Sequence, residues 1–309
     1  KLYRLFKYKI NVTKFAKQYR ANEACRLWLF GNDNLFLLHD LVFEIKSISY
    51  MFEIPHFSIP MRYRLLSPTF DYKSVLNAAW RNVCCELNRG LITQSLFGLK
   101  NRPIIIPNKT FMQSVQLDAP SSKIKQLLGQ IQGQKVILYQ GIFNSPERRL
   151  IELCESVNFL PENYVILLMG DGDSFEYLKS KYESNRVIFT GFINYPDYLH
   201  ITKASYIGFL SYFSASNNLN TTLNTLFCAP NKIFEYSAFG LPFISNYLPA
   251  LSVFAEKYSA GETLSDFSPE SIAKSILNIS ENYLHYNKGA LDLFSSVDIS
   301  ENIKSLLSE

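Results

Sequence analysis

The chain has 309 residues, 47% of them hydrophobic and 19% charged, with a formal net charge of +4 at neutral pH. That length holds two ordinary domains with separate cores, and the composition excludes disordered and fibrous chains. No apolar run approaches the roughly 18 residues needed to span a bilayer, and no cleavable signal peptide is visible.

The first segment is basic. Lys1, Arg4, Lys7, Lys9, Lys14, Lys17, Arg20 and Arg26 are opposed only by Glu23. Its Phe and Tyr residues follow a helical pattern, which suits either peripheral docking on an anionic membrane surface or a solvated helix face. That pattern is already under way at Lys1, so a preceding piece is expected. Residues 26–30 (RLWLF) and 49–52 (SYMF) read as strands separated by a helix over 34–45, and a second helix is expected over 74–88. Residues 91–93 and 103–107 (PIIIP) read as further strands. The polar stretch 108–133, with Asp118, Pro120, Ser121 and Ser122, reads as a linker, giving domains over residues 1–118 and 119–309.

Beyond the linker the alternation is regular. Strands are expected at 135–139 (KVILY), 164–169 (YVILLM), 187–189, 206–210 and 242–245. Helices are expected at 146–157, 175–183, 196–202, 231–239, 253–258, 269–279 and 303–307. Short strands rich in Val, Ile and Leu between helices belong to a doubly wound α/β sheet buried on both faces. Cys25, Cys84, Cys85, Cys154 and Cys228 are odd in number and lack metal-type spacing, as expected of reduced cytosolic thiols.

Three places carry chemistry. Gly141 follows a strand, where backbone can approach a phosphate or sugar closely, or serve a turn alone, and Arg148 beyond it offers a fork of donors suited to phosphate oxygens. The MGDG turn over 169–172 lacks dinucleotide-fingerprint spacing, and after Gly191 the backbone of Phe192 can read a nucleobase edge. After a polar loop over 211–228, residues 230–236 (PNKIFEY) start a helix. Its N–H groups and dipole favour an anion, Lys232 adds a full charge, and Glu235 one turn further in can accept from two ribose hydroxyls. Taken singly, Glu235 is a carboxylate favoured by the dipole and Lys232 a surface charge. On the first half, Glu53 and His56 are acceptor-side candidates, with His56 able to act as a base near neutral pH, although a lone loop histidine is more often a bystander.

The order of Gly141, the MGDG turn, the VIFTG strand (187–191), the PNKIFEYSAFGLP helix (230–242) and Gly261 resembles the C-terminal domain of GT-B glycosyltransferases, particularly family 4 and its group 1 relatives. The resemblance covers residues 130–280. It is looser over 26–108, through RLWLFG (26–31), GLITQS (90–95) and IIIPN (104–108). It implies an α/β fold of two Rossmann-like domains, the N-terminal one partial, and transfer of a sugar from a nucleotide-diphosphate sugar to a surface glycan or lipid-linked acceptor with retention of configuration. By the same resemblance Glu235 binds the donor ribose, Lys232 and Asn231 the diphosphate, Gly141 lies below the donor, and Arg148 is the basic residue of the first helix. Phe227 stands where many members have a second glutamate and Ile142 where many have an arginine, leaving Asn217 and Asn218 as candidates for the sugar hydroxyls. The expected setting is cytoplasmic, at the inner face of the membrane, with no cofactor or metal beyond the donor and no nucleic-acid partner. The alternative is a non-catalytic nucleotide- or glycan-binding partner of an active transferase. A sugar-nucleotide epimerase shares the fold but would place several histidines in its cleft, and this chain has 4 in all.

Overall fold

The structure is a computed structural model that describes residues 2–110 and 117–308; Lys1 and part of the expected linker lie outside the described residues. The chain divides into two compact units. The first comprises Lys1–Pro107, Asn218–Ala229 and Ile299–Glu309, and the second Asn108–Asn217 and Pro230–Asp298.

In chain order the elements are α1 (Leu2–Lys17), β1 (Leu27–Phe30), α2 (Gly31–Val42), β2 (Ser47–Met51), α3 (Met61–Leu66), α4 (Tyr72–Ala78), β3 (Arg81–Cys84), α5 (Leu87–Phe97) and β4 (Ile104–Ile105). These are followed by α6 (Ser122–Gln130), β5 (Lys135–Ile142), α7 (Leu150–Ser156), β6 (Tyr164–Asp171), α8 (Phe175–Tyr182), β7 (Val187–Gly191), α9 (Tyr198–Ala204) and β8 (Ile207–Leu210). The remainder is α10 (Leu219–Leu226), α11 (Lys232–Ala238), β9 (Phe243–Asn246), α12 (Pro249–Tyr258), β10 (Gly261–Leu264), α13 (Pro269–Glu281), α14 (Tyr283–Ser295) and α15 (Ile299–Leu307).

Among the described residues the first unit holds a parallel sheet in the order β1-β2-β3-β4. One face packs Leu29 and Met51 against Leu35, Phe36 and Leu38 of α2. The other packs Ile48, Val83 and Ile104 against Ile299, Ile303 and Leu306 of α15. Three expectations fail here. Residues 91–93 lie inside α5, because a three-residue apolar run fits a helix as readily as a strand. The helix expected over 74–88 is interrupted by β3, whose sequence RNVC has little apolar character. Residues 218–228, read as loop, contain α10, capped by Asn218.

The second unit holds a parallel sheet in the order β10-β9-β8-β5-β6-β7. Strand β5 is buried from Val136 to Gln140 and β6 from Tyr164 to Gly170, as apolar strands covered on both faces must be. The stretch expected as linker contains α6, and the helix expected from residue 146 begins only at Leu150. Strand order reverses between β5 and β8, so the crevice outside their carboxyl ends is where such a sheet binds ligands.

Candidate functional site

Helix α11 is seated on this crevice by a close approach. A Cβ on Gly208 would lie 2.2 Å from the Tyr236 ring, so only glycine lets the ring lie flat on β8. The Tyr236 hydroxyl reaches the carbonyl oxygens of Leu138 and Phe209 at 3.2 and 3.3 Å. Burial raises its pKa well above the ordinary phenol value and keeps it a neutral donor.

One turn into α11, Glu235 is 1% exposed. Its carboxylate accepts from the Gln140 side-chain amide of β5 and from Asn231 Nδ2 at 3.2 Å. The Lys232 ammonium lies 3.4 Å from one carboxylate oxygen and 3.5 Å from the other. Gln140 Oε1 in turn accepts from the Thr202 hydroxyl at 2.9 Å. Tyr198 of α9 also meets Glu235, and burial first and that carboxylate second raise its phenol pKa. The buried anion is thus held by two amides, a phenol and a cation, as its desolvation requires. The Lys232 side chain remains one-quarter exposed.

Around the same crevice, Arg148 precedes α7 rather than lying in its first turn. Its guanidinium lies 4.5 Å from the centre of the Tyr212 ring, just beyond β8. It also lowers the Tyr139 phenol pKa against burial, which prevails and pushes the group up to about 12. Gly141 lies within β5, paired with Gly170 of β6. Gly191 ends β7 with φ of 69°, a left-handed turn that presents an exposed Phe192. Asn231 precedes α11 without capping it and turns its side chain to Glu235.

The remaining candidates have surroundings of their own. Asn217 is exposed. Asn218 accepts from the backbone N–H groups of Asn220 and Thr221 at 2.9 and 3.3 Å, the geometry of a helix cap. In the first unit Glu53 is exposed and His56 stacks on Phe36 with ring centres 6.2 Å apart. No hydrogen bond or ion pair joins these two among the described residues. Their loop is fastened instead by Asn220 Nδ2 to the Pro55 carbonyl at 2.9 Å and by the Ile54 N–H to Asn224 at 2.8 Å. Sequence reasoning missed Gln140, Thr202 and Tyr198. Gln140 left a legible trace, as the lone polar residue closing the apolar run VILYQ. Among the described residues no cluster of His, Cys, Asp or Glu is arranged to hold a metal ion, and no helix is long and apolar enough to cross a membrane.

Two parallel α/β units with Rossmann-like sheets define the GT-B glycosyltransferase fold, and the chain has that fold. No protein-family model and no curated protein matches it in sequence. Among solved structures, HepE of Anabaena in complex with UDP aligns with a TM-score of 0.66 at 14% identity, over 96% of this chain and 80% of that one. WaaG, a glycosyltransferase involved in lipopolysaccharide biosynthesis, aligns at 0.60 and 16% identity, over 95% and 79%. A glycosyltransferase from Rickettsia africae aligns at 0.65 and 12% identity, over 98% and 79%. Likeness at such identities is a likeness of fold.

Proposed function

We propose that the second unit binds a nucleotide-diphosphate sugar at the crevice between β5 and β8, and that the chain transfers the sugar to a glycan or lipid-linked acceptor with retention of configuration. The buried Glu235 carboxylate at that crevice carries the reading, and the UDP and UDP-glucose complexes of HepE support it by analogy of fold. Ribose hydroxyls would take the place of Asn231 and Lys232 on the carboxylate. Lys232 would then swing to the diphosphate and, with Arg148, stabilise the charge that accumulates as the glycosidic bond breaks. In this scheme Gly141 lies below the donor, the backbone at Gly191 and Phe192 meets the base, and Asn217 and Asn218 face the sugar. No metal or cofactor takes part. Glu53 and His56 are the acceptor-side groups, in a cytoplasmic setting.

The test is the affinity for UDP, GDP and ADP by calorimetry, with release of nucleoside diphosphate from the corresponding sugars in the presence of lipid extracts. Glu235→Ala removes charge-assisted hydrogen bonds and is expected to weaken binding of the preferred nucleotide by about tenfold or more. A loss below about threefold overturns the ribose role. The second reading is a nucleotide-binding partner without catalysis; among the described residues no hydrogen bond or ion pair orients His56 towards a carboxylate. Nucleotide binding that depends on Glu235, with no turnover on any acceptor, would select it.

A further inference from the structure

The Glu235 carboxylate meets two kinds of partner. Asn231, which is exposed, donates to Oε1, and Lys232, whose side chain is partly exposed, lies within 3.5 Å of both oxygens. The Gln140 amide is buried and donates to Oε2. A ligand entering the crevice displaces the first pair and leaves the second in place. The buried partner therefore limits the rotation of the carboxylate whether the crevice is empty or filled.

Packing does not explain a glutamine at this position. Residues 136–139 (VILY) are apolar and buried, and an apolar side chain at 140 would continue the core of β5. A buried amide is costly unless both of its ends are bonded. In Gln140 the donor end is taken by Glu235 and the acceptor end by Thr202, fully buried on α9, whose hydroxyl lies 2.9 Å from Oε1. Thr202 has a second acceptor in its own helix, the Tyr198 carbonyl one turn earlier at 3.1 Å. The nearer of the two is the Gln140 oxygen. A carboxylate accepts only, so the N–H end of the amide must face it. Without the Thr202 hydroxyl, Gln140 Oε1 would be buried with no donor, and the side chain would gain by turning away from Glu235 to find one. Thr202 thus sets Gln140, and Gln140 sets Glu235.

Given the ribose role of Glu235, on which this rests, we propose that Gln140 and Thr202 are positioning residues for the ribose. Together they hold Oε2 on the buried side and turn Oε1 to the crevice, so that the carboxylate meets the 2′ and 3′ hydroxyls and the chain selects ribose over deoxyribose.

Calorimetry with UDP, GDP and ADP beside their 2′-deoxy counterparts tests this through the ratio of the two affinities. The native chain is expected to bind the preferred ribonucleotide about tenfold or more tighter than its deoxy form, because a hydrogen bond to a charged group is at stake, and Glu235→Ala brings the ratio to about one. Thr202→Val keeps the shape and removes the hydroxyl. Its ratio falls to about threefold or less while the deoxynucleotide affinity stays within about twofold of native, and Thr202→Ser restores the native ratio. Gln140→Met gives the same fall, and adding Thr202→Val to it lowers the ratio no further, as for two residues acting in series. A purely structural role weakens ribonucleotide and deoxyribonucleotide together and leaves their ratio unchanged. That result for Thr202→Val and Gln140→Met, with Glu235→Ala abolishing the preference, overturns the inference and leaves the ribose role of Glu235 standing. A native chain that shows no preference for ribose, or binds none of the nucleotides, removes both. Should Thr202→Val lose its thermal transition, Gln140→Met decides, because Thr202 acts on the ribose through Gln140 alone.

Discussion

Polar side chains serve different ends in the two units. In the first they tie backbone to backbone: the Arg89 guanidinium donates to the carbonyls of Phe52 and Asn224, Asn220 to those of Ile54 and Pro55, and His39 lies 3.1 Å from that of Phe36. In the second, Gln140, Tyr198, Asn231 and Lys232 turn their side chains on one carboxylate at the mouth of a sheet. Fastening a loop needs only a donor and a carbonyl. Burying a carboxylate under four side chains is no cheaper route to stability than an apolar cluster, so its place at the ligand-binding edge marks a site.

The contrast breaks most sharply at Gly208. Adding a methyl group there drives Cβ into the Tyr236 ring, and Gly208→Ala is expected to lower unfolding free energy by about 3 kcal/mol and to abolish nucleotide binding with it. Denaturant melts beside calorimetry measure both, and native values for both would show that α11 can shift without consequence for the crevice. A smaller effect sharpens the boundary between fastening and binding. Asn218→Ala removes a helix cap worth about 1 kcal/mol, while Asn218→Ser restores it. If Asn218 only caps α10, the serine variant matches the native chain in melting and in donor affinity; native melting with weakened donor binding would give it a sugar contact.

The smallest effect concerns pH and the first unit. Burial holds the His39 imidazole below its ordinary value of 6.5 and outweighs the Asp40 carboxylate beside it, while Lys9 lowers it further. Below that pH the unfolded chain therefore binds more protons at this site than the folded one. The stability contributed by the neutral ring is complete above pH 6.5 and is lost as pH falls through the depressed folded value. Unfolding midpoints measured from about pH 8 to pH 5 should fall more steeply for the native chain than for His39→Asn; parallel curves would remove His39 as the cause.

The fold of the second unit was legible because doubly covered strands such as YVILLM announce themselves as continuous apolar runs. In the first unit the apolar runs at Leu27–Phe30 and Ile104–Ile105 are strands as expected, but Leu91 to Thr93, read the same way, belongs to a helix, and the true strand RNVC is half polar. Helices α6 and α10, rich in Lys, Gln, Asn and Thr, resemble linker until their caps and neighbours are known. Lys232 and Glu235 could be singled out because they share one short motif. Gln140, Tyr198 and Thr202 could not be joined to them, since they arrive from separate strands and helices, and side-chain convergence across about 95 residues of chain leaves no local spacing to read.

The return of α15 to the first unit sets an order of events during synthesis. Domains ordinarily mature from the amino end as the chain emerges from the ribosome. Here Ile48, Val83 and Trp80 have their cover only when Ile299, Ile303 and Leu306 have been made. The sheet that is translated first is therefore completed last, and until then its bare face is the segment of the nascent chain most in need of a chaperone.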